Sequence, residues 1–117
     1  MAIGTLFTLP NTADDWLQFS FANLDSHIKI AAAIQKKYGT LISTYPLDPI
    51  PWLDFDRKII NPVWLYNHQA AHNFQNAILG IEGNDLTVLD WSRPDEVASW
   101  IDLHANEHRV AAQRLGL

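Results

Sequence analysis

An ungapped internal repeat constrains the fold of this 117-residue chain more than any other feature. Residues 64–81, WLYNHQAAHNFQNAILGI, align with residues 100–117, WIDLHANEHRVAAQRLGL, with five identities in eighteen positions, where random pairing gives roughly one. The identities pair Trp64 with Trp100, His68 with His104, His72 with His108, Leu79 with Leu115 and Gly80 with Gly116. The repeat predicts two copies of one helical unit.

The repeated side chains, apart from the glycine, form one narrow stripe on each predicted helix. Counted from the tryptophan, positions 4, 8 and 15 lie at about 40°, 80° and 60° around a helix with 3.6 residues per turn. Apolar residues flank this stripe, so we expect the histidines to point at least partly inward. A fainter third copy places Phe19, Asn23, His27 and Ile34 in register. Three copies would form a pseudo-repeated three-helix bundle with polar side chains near a common axis.

Capping signals predict an all-α fold, a three-helix bundle in one domain, with helices at 12–38, 62–79 and 92–115. Asn11 or Thr12 can cap the first helix, and Asn61 followed by proline opens the second. Ser92 with Asp95 has the spacing of a capping box for the third helix. Glycines at 39, 80 and 116 end the three helices.

Two apolar segments outside the helices are predicted to be extended. Residues 1–11 form an arm that ends near Pro10, and residues 40–61 form a loop with three prolines within six residues. The apolar side chains of these segments must pack on their own bundle or dock on another subunit. The candidate partner contacts are Ile3, Leu6, Phe7, Leu9, Tyr45, Ile50, Trp52 and Phe55.

Composition excludes several classes of function. The formal net charge is −5 and the eight Lys and Arg residues are scattered, so direct nucleic-acid binding is not expected. The chain has no cysteine, which removes disulfides and thiolate ligands. Its start lacks the pattern of a signal peptide, and no apolar run is long enough to span a bilayer. We therefore expect no membrane association.

The two HxxxH pairs, His68 with His72 and His104 with His108, admit two interpretations. Residues four apart share a helix face, so four imidazoles on facing helices could bind zinc or a similar ion. Alternatively, each ring packs against a tryptophan and hydrogen-bonds to a carbonyl or to one of the asparagines at 67, 73 and 76. The absence of inward carboxylates in helix two favours this polar seam, and no metal or other cofactor is predicted.

No catalytic residue is predicted. The run 104–108, HANEH, matches the HxxEH pattern of inverted zincins, but such enzymes need a further acidic ligand well downstream and few residues follow His108. The position equivalent to Glu107 in helix two is Ala71, so the repeat explains the histidine spacing without catalysis. Asp54 and Asp56 face opposite ways in an extended segment and are expected in a solvated loop. We therefore expect a protein that is not an enzyme.

The whole pattern resembles a group of small proteins encoded among the structural genes of tailed bacteriophages. The resemblance covers about residues 16–117 and rests on FANLDSHIKIAAAIQKKYG, YPLDPIP, NHQAAHNFQNAILGIEGNDLTVLDW and WIDLHANEHRVAAQRLGL. It implies a virion or assembly component, made in the host cytoplasm, that binds copies of itself and capsid, neck or tail proteins. It assigns no functional residue.

Overall fold

The computed structural model describes residues 3–44, 47 and 52–117. Its elements are a 3₁₀ helix, Ile3–Phe7, and the helices α1, Ala13–Tyr38, α2, Pro62–Leu79, and α3, Pro94–Leu115. Two short strands, β1, Leu53–Asp54, and β2, Ile59–Ile60, pair antiparallel between α1 and α2. The protein is therefore mostly helical, as expected, but the strands add a small sheet to the predicted all-α fold. None of the helices within the described residues is long and apolar enough to cross a membrane.

Local capping explains where the helices begin and end. The Thr12 side chain accepts a hydrogen bond from the backbone N–H of Asp15, whose carboxylate accepts one from the Thr12 N–H in return. The Asn61 side chain accepts hydrogen bonds from the backbone N–H groups of Val63 and Trp64, the second and third residues of α2. All three helices end at a glycine in the left-handed conformation, which costs glycine no steric strain.

The predicted start of the third helix was wrong. Its N-cap is Arg93, which makes no side-chain capping bond, and the helix begins at Pro94. The Ser92 hydroxyl instead donates to Asp90 Oδ1 at 2.6 Å, and the Ser92 backbone N–H donates to the same atom. The competing turn around Asp90 therefore removes Ser92 from the capping position.

The prediction of an extended N-terminal arm was also wrong, because Ile3–Phe7 is helical and contacts both α1 and α3. Leu6 is fully buried against its own chain, whereas Phe7 and Leu9 are 39% and 40% exposed. In the proline-rich segment Trp52 is buried and Phe55 packs partly buried against the core. Tyr45, Ile50 and the side chain of Ile3 lie outside the described residues.

The three α-helices run in the same direction with their repeats in register. Phe19 contacts Trp100 with ring centroids 6.0 Å apart, near the start of each repeat. Near the other end, Ile30 and Ile34 of α1, Leu79 of α2 and Ala111 of α3 form one apolar cluster. Because parallel neighbours cannot be joined by a tight turn, the chain needs the long connections 39–61 and 80–93 to return to the starting end.

Candidate metal centre

All five histidines of the chain meet between the two apolar clusters. His27 comes from α1, and α2 and α3 each supply two, which are His68, His72, His104 and His108. Every one of these side chains is at most 2% exposed. One ligand nitrogen from each ring can be chosen so that all five atoms lie within 4.8 Å of one another. The structure thus brings together the four predicted candidates and adds His27.

The register of the repeat explains this convergence. Asn23, His68 and His104 occupy equivalent positions and form one polar layer. His27, His72 and His108 form the next layer, with ring centroids 4.6–4.9 Å apart. Asn23 and His27 of α1 therefore occupy positions equivalent to the two histidines of each repeat, as the faint third copy predicted. His27 belongs to no HxxxH pair, because Asn23 stands where the first histidine of such a pair would be. The signal that identifies His27 is the alignment of helix one with the two repeats.

Tryptophans stack on one histidine of each HxxxH pair, whereas the polar-seam interpretation expected a tryptophan against every ring. Trp64 lies parallel to His68 with centroids 4.6 Å apart, and Trp100 lies parallel to His104 at 4.8 Å. Both tryptophans and Leu79 are buried, and Leu115 is half-buried. The repeated stripe therefore acts as a packing unit that fixes the planes of these two imidazoles.

Two further histidines are held through Nδ1. His72 Nδ1 donates to Glu107 Oε1 at 3.1 Å, and His108 Nδ1 bonds to Ser26 Oγ at 2.7 Å. A ring whose Nδ1 carries the proton keeps its lone pair on Nε2, and a hydrogen-bonded Nδ1 is the usual outer partner of a metal-bound histidine. Both bonds occupy Nδ1 and leave Nε2 as the available ligand atom, which for His108 requires Ser26 Oγ to accept the bond.

Glu107 is a buried carboxylate that the inspection of helix two could not reveal, because it enters from α3. Burial opposes its ionisation, but hydrogen bonds from His72, Asn76 and Asn84, with the charge of His72, lower its pKa to about 2. Asn76 donates to Oε1, while the backbone and side chain of Asn84 donate to Oε2. Asn76 thus binds this carboxylate and not a histidine. With both oxygens engaged, Glu107 is unsuited to activate water as a zincin glutamate does.

The imidazole nitrogens cannot satisfy one another as hydrogen-bond partners. His68 Nε2 lies 3.1 Å from both His72 Nε2 and His104 Nε2, yet one neutral ring nitrogen offers either a single proton or a single lone pair. Four other buried ring nitrogens have no partner among the described residues, namely His27 Nε2, His108 Nε2, His68 Nδ1 and His104 Nδ1. Each such group costs about 1–3 kcal/mol.

Burial also keeps these rings neutral. Desolvation, reinforced by the nearby charge of His72, lowers the pKa of His27 well below the ordinary value of 6.5. Desolvation is likewise the main reason that the pKa values of His68, His104 and His108 are lowered well below 6.5. Neutral imidazoles retain the lone pairs that metal ions bind, so the cluster is chemically ready to act as a ligand set.

Comparison of the chain with protein-family models, curated proteins and solved structures found no match.

Proposed function

We propose that this protein binds one divalent transition-metal ion in the core, and that the three helices form a bundle whose axis passes through that ion. The observation that supports the proposal is the convergence of five buried imidazoles, contributed by all three helices, within 4.8 Å. A polar seam needs complementary donors and acceptors. In this cluster the Nε2 atoms of His27 and His108 have no partner among the described residues and that of His68 is crowded by two other nitrogens, and an ion at the centre would bind all three.

The ligand set that fits best is the Nε2 atoms of His27, His68, His72 and His108. In a tetrahedral zinc site with Zn–N bonds of about 2.0–2.1 Å, ligand nitrogens lie about 3.3–3.4 Å apart. The Nε2 atoms of His68 and His72 are already 3.1 Å apart. His104 is assigned an outer role, because its Nε2 lies 2.8 Å from Asn23 Oδ1 and donates its proton there.

The chemistry of the donors selects the class of metal. Imidazole nitrogen suits zinc, copper, nickel, cobalt and iron, whereas calcium and magnesium require oxygen ligands. Imidazole ligands contribute no negative charge and leave the charge of the ion in place, and the ionised Glu107 compensates part of it through its hydrogen bond with His72. A closed site of this kind supports a structural role, since a catalytic zinc keeps an open coordination position.

Metal analysis of protein prepared without a polyhistidine tag tests the proposal. Since the chain holds no other histidine, every imidazole ligand belongs to the cluster. After loading with Zn²⁺ or Co²⁺ and dialysis, we expect about one equivalent of bound metal and a melting temperature raised by about 10 °C or more. The Co²⁺ form should show the strong visible absorption of a tetrahedral centre.

Asparagine variants control for folding, because Asn23 already occupies a histidine position of the repeat. We expect His27→Asn to remove tight binding and His104→Asn to retain it. The exposed Arg109→Asn, beside His108, should bind metal like the wild type. Less than about a tenth of an equivalent in the folded wild-type protein, with melting unchanged by a chelator, would overturn the proposal.

The virion role implied by the bacteriophage resemblance stays a prediction, as do its partners from the capsid, neck or tail and the absence of enzymatic activity. A metal-stabilised core is compatible with it. Quantitative mass spectrometry of purified particles tests this role, with detection at a fixed copy number supporting it and reproducible absence contradicting it.

A further inference from the structure

Helix α1 carries a second apolar stripe outside the core. Leu17, Phe21, Leu24 and Ile28 follow one another at spacings of four, three and four residues. Leu17, Phe21 and Ile28 remain 46%, 51% and 47% exposed, and Leu24 is half-buried. The core face of the same helix, which includes Phe19 and His27, is a separate set of positions. The stripe is therefore not needed to build the centre described above.

The spacing of this stripe is that of a coiled-coil seam, where alternate steps of three and four residues keep apolar side chains on one side. Over 26 residues α1 is about 39 Å long, so a partner helix can lie along most of it. An amphipathic helix with matching spacing is the natural occupant of such a face.

The charges beside the stripe identify the partner as a second α1. The N-terminal half of the helix carries Asp14 and Asp25, and the C-terminal half carries Lys36 and Lys29, of which Lys29 also pairs with Asp25 of its own helix at 3.0 Å. When two copies run antiparallel with Leu24 opposite Ile28 of the other copy, Asp25 lies near the other copy's Lys29 and Asp14 near its Lys36. All four charges lie on one flank of the stripe, so in a parallel pair they would face the partner's opposite flank and form no such pairs.

We infer that two copies of this chain form a symmetric dimer through antiparallel contact of their α1 helices, with the two-fold axis near residue 26. The contact is isologous, since the same stripe serves both partners. It buries the half-exposed side chains of Leu17, Phe21 and Ile28 and adds four complementary charge pairs across the axis. The dimer does not depend on the metal centre.

The molar mass in solution tests the dimer. Sedimentation equilibrium should give a monomer–dimer equilibrium for the wild type, and Phe21→Lys should shift it at least about tenfold toward monomer. Phe74→Lys is the matched control, because Phe74 is an equally large exposed side chain on α2, at 61% exposure. A wild type that stays monomeric up to about millimolar concentration, or equal effects of the two variants, overturns the inference.

Cysteine crosslinking tests the antiparallel direction, since the chain has no cysteine of its own. Gln18 and Ala32 are both exposed on the polar side of the stripe. In the antiparallel dimer residue 18 of one copy lies near residue 32 of the other, while the two copies of residue 18 are separated by about 24 Å along the axis. Oxidising a mixture of Gln18→Cys and Ala32→Cys should give several-fold more crosslinked dimer than either variant alone. Efficient crosslinking of each variant with itself would contradict this direction.

Discussion

At the scale of single residues, the centre depends on side chains that set the state of each imidazole. Glu107 interrupts the repeat, since its helix-two equivalent is Ala71, and it orients only His72. Ser26 forms a hydrogen bond with His108, and Asn23 accepts one from His104, so each also orients one ring. The symmetric repeat thus supplies the rings, and non-repeated polar residues distinguish them. In the proposed centre, this difference selects four ligand nitrogens from the five rings that converge.

Replacing Glu107 by glutamine should weaken metal binding about 10–100-fold, because the outer carboxylate that orients His72 and compensates the charge of the ion is lost. Glu107→Ala should in addition lower the free energy of unfolding by about 2–4 kcal/mol, since it leaves Asn76 and Asn84 without their acceptor. Competition titration with a chelator measures the first effect and urea unfolding the second. Asp102→Asn, at an exposed position of the same helix, should match the wild type; an equal loss there would contradict this role.

Acid should destabilise the metal-free protein. The pKa values of His27, His68, His104 and His108 are lowered on folding, so below the unfolded value of about 6.5 the unfolded chain binds more protons than the folded one. Stability is full above that pH and falls as the pH decreases, by up to about 1.4 kcal/mol per pH unit for each ring. Urea unfolding in the presence of a chelator at pH 7.5 and 5.5 measures this difference. A free energy of unfolding unchanged between these pH values would show that the rings do not titrate as described.

At the scale of elements, the helix bounds were predictable to within one or two residues, because each end except the start of α3 has a local chemical signal. Thr12, Asn61 and the terminal glycines act within one turn of the chain, so sequence inspection finds them. The prediction that Ser92 caps α3 was wrong, because the nearby Asp90 accepts the hydrogen bond of its hydroxyl. The 3₁₀ helix at Ile3–Phe7 was not predicted for a different reason. Its apolar side chains are stabilised by packing on α1 and α3, and no local signal marks such long-range contacts.

The two serine and threonine candidates for capping should respond differently to alanine. Thr12→Ala should lower the free energy of unfolding by about 1 kcal/mol, because an N-terminal donor of α1 loses its acceptor. Ser92→Ala should cost distinctly less, since its hydroxyl only supports an exposed turn. Chemical denaturation of the two variants and the wild type provides the comparison. Equal losses would mean that Ser92 caps α3 after all.

At the scale of the whole molecule, the relative direction of the helices determines which side chains meet at the histidine cluster. The sequence predicts inward histidines on each repeat, but periodicity alone does not state whether neighbouring helices are parallel, nor how their repeats align. Only the parallel, in-register arrangement stacks His27 with His72 and His108 in one layer. Glu107 reaches His72 from the neighbouring helix for the same reason. These features are long-range, so no local sequence signal could have indicated them.

The parallel arrangement requires a long return segment between α1 and α2, and Trp52 attaches that segment to the core. Its ring stacks on Trp64 with centroids 4.0 Å apart, meets Trp16 edge-on, and donates its Nε1–H to Ser20 Oγ. Trp52→Ala should therefore lower the free energy of unfolding by about 3–5 kcal/mol, whereas alanine at Ile59, which is mostly exposed, should cost less than about 1 kcal/mol. Urea unfolding of dilute protein, where the chain is monomeric, measures the intramolecular effect. If Trp52 instead served a partner subunit, the monomer would keep its stability and only association would weaken.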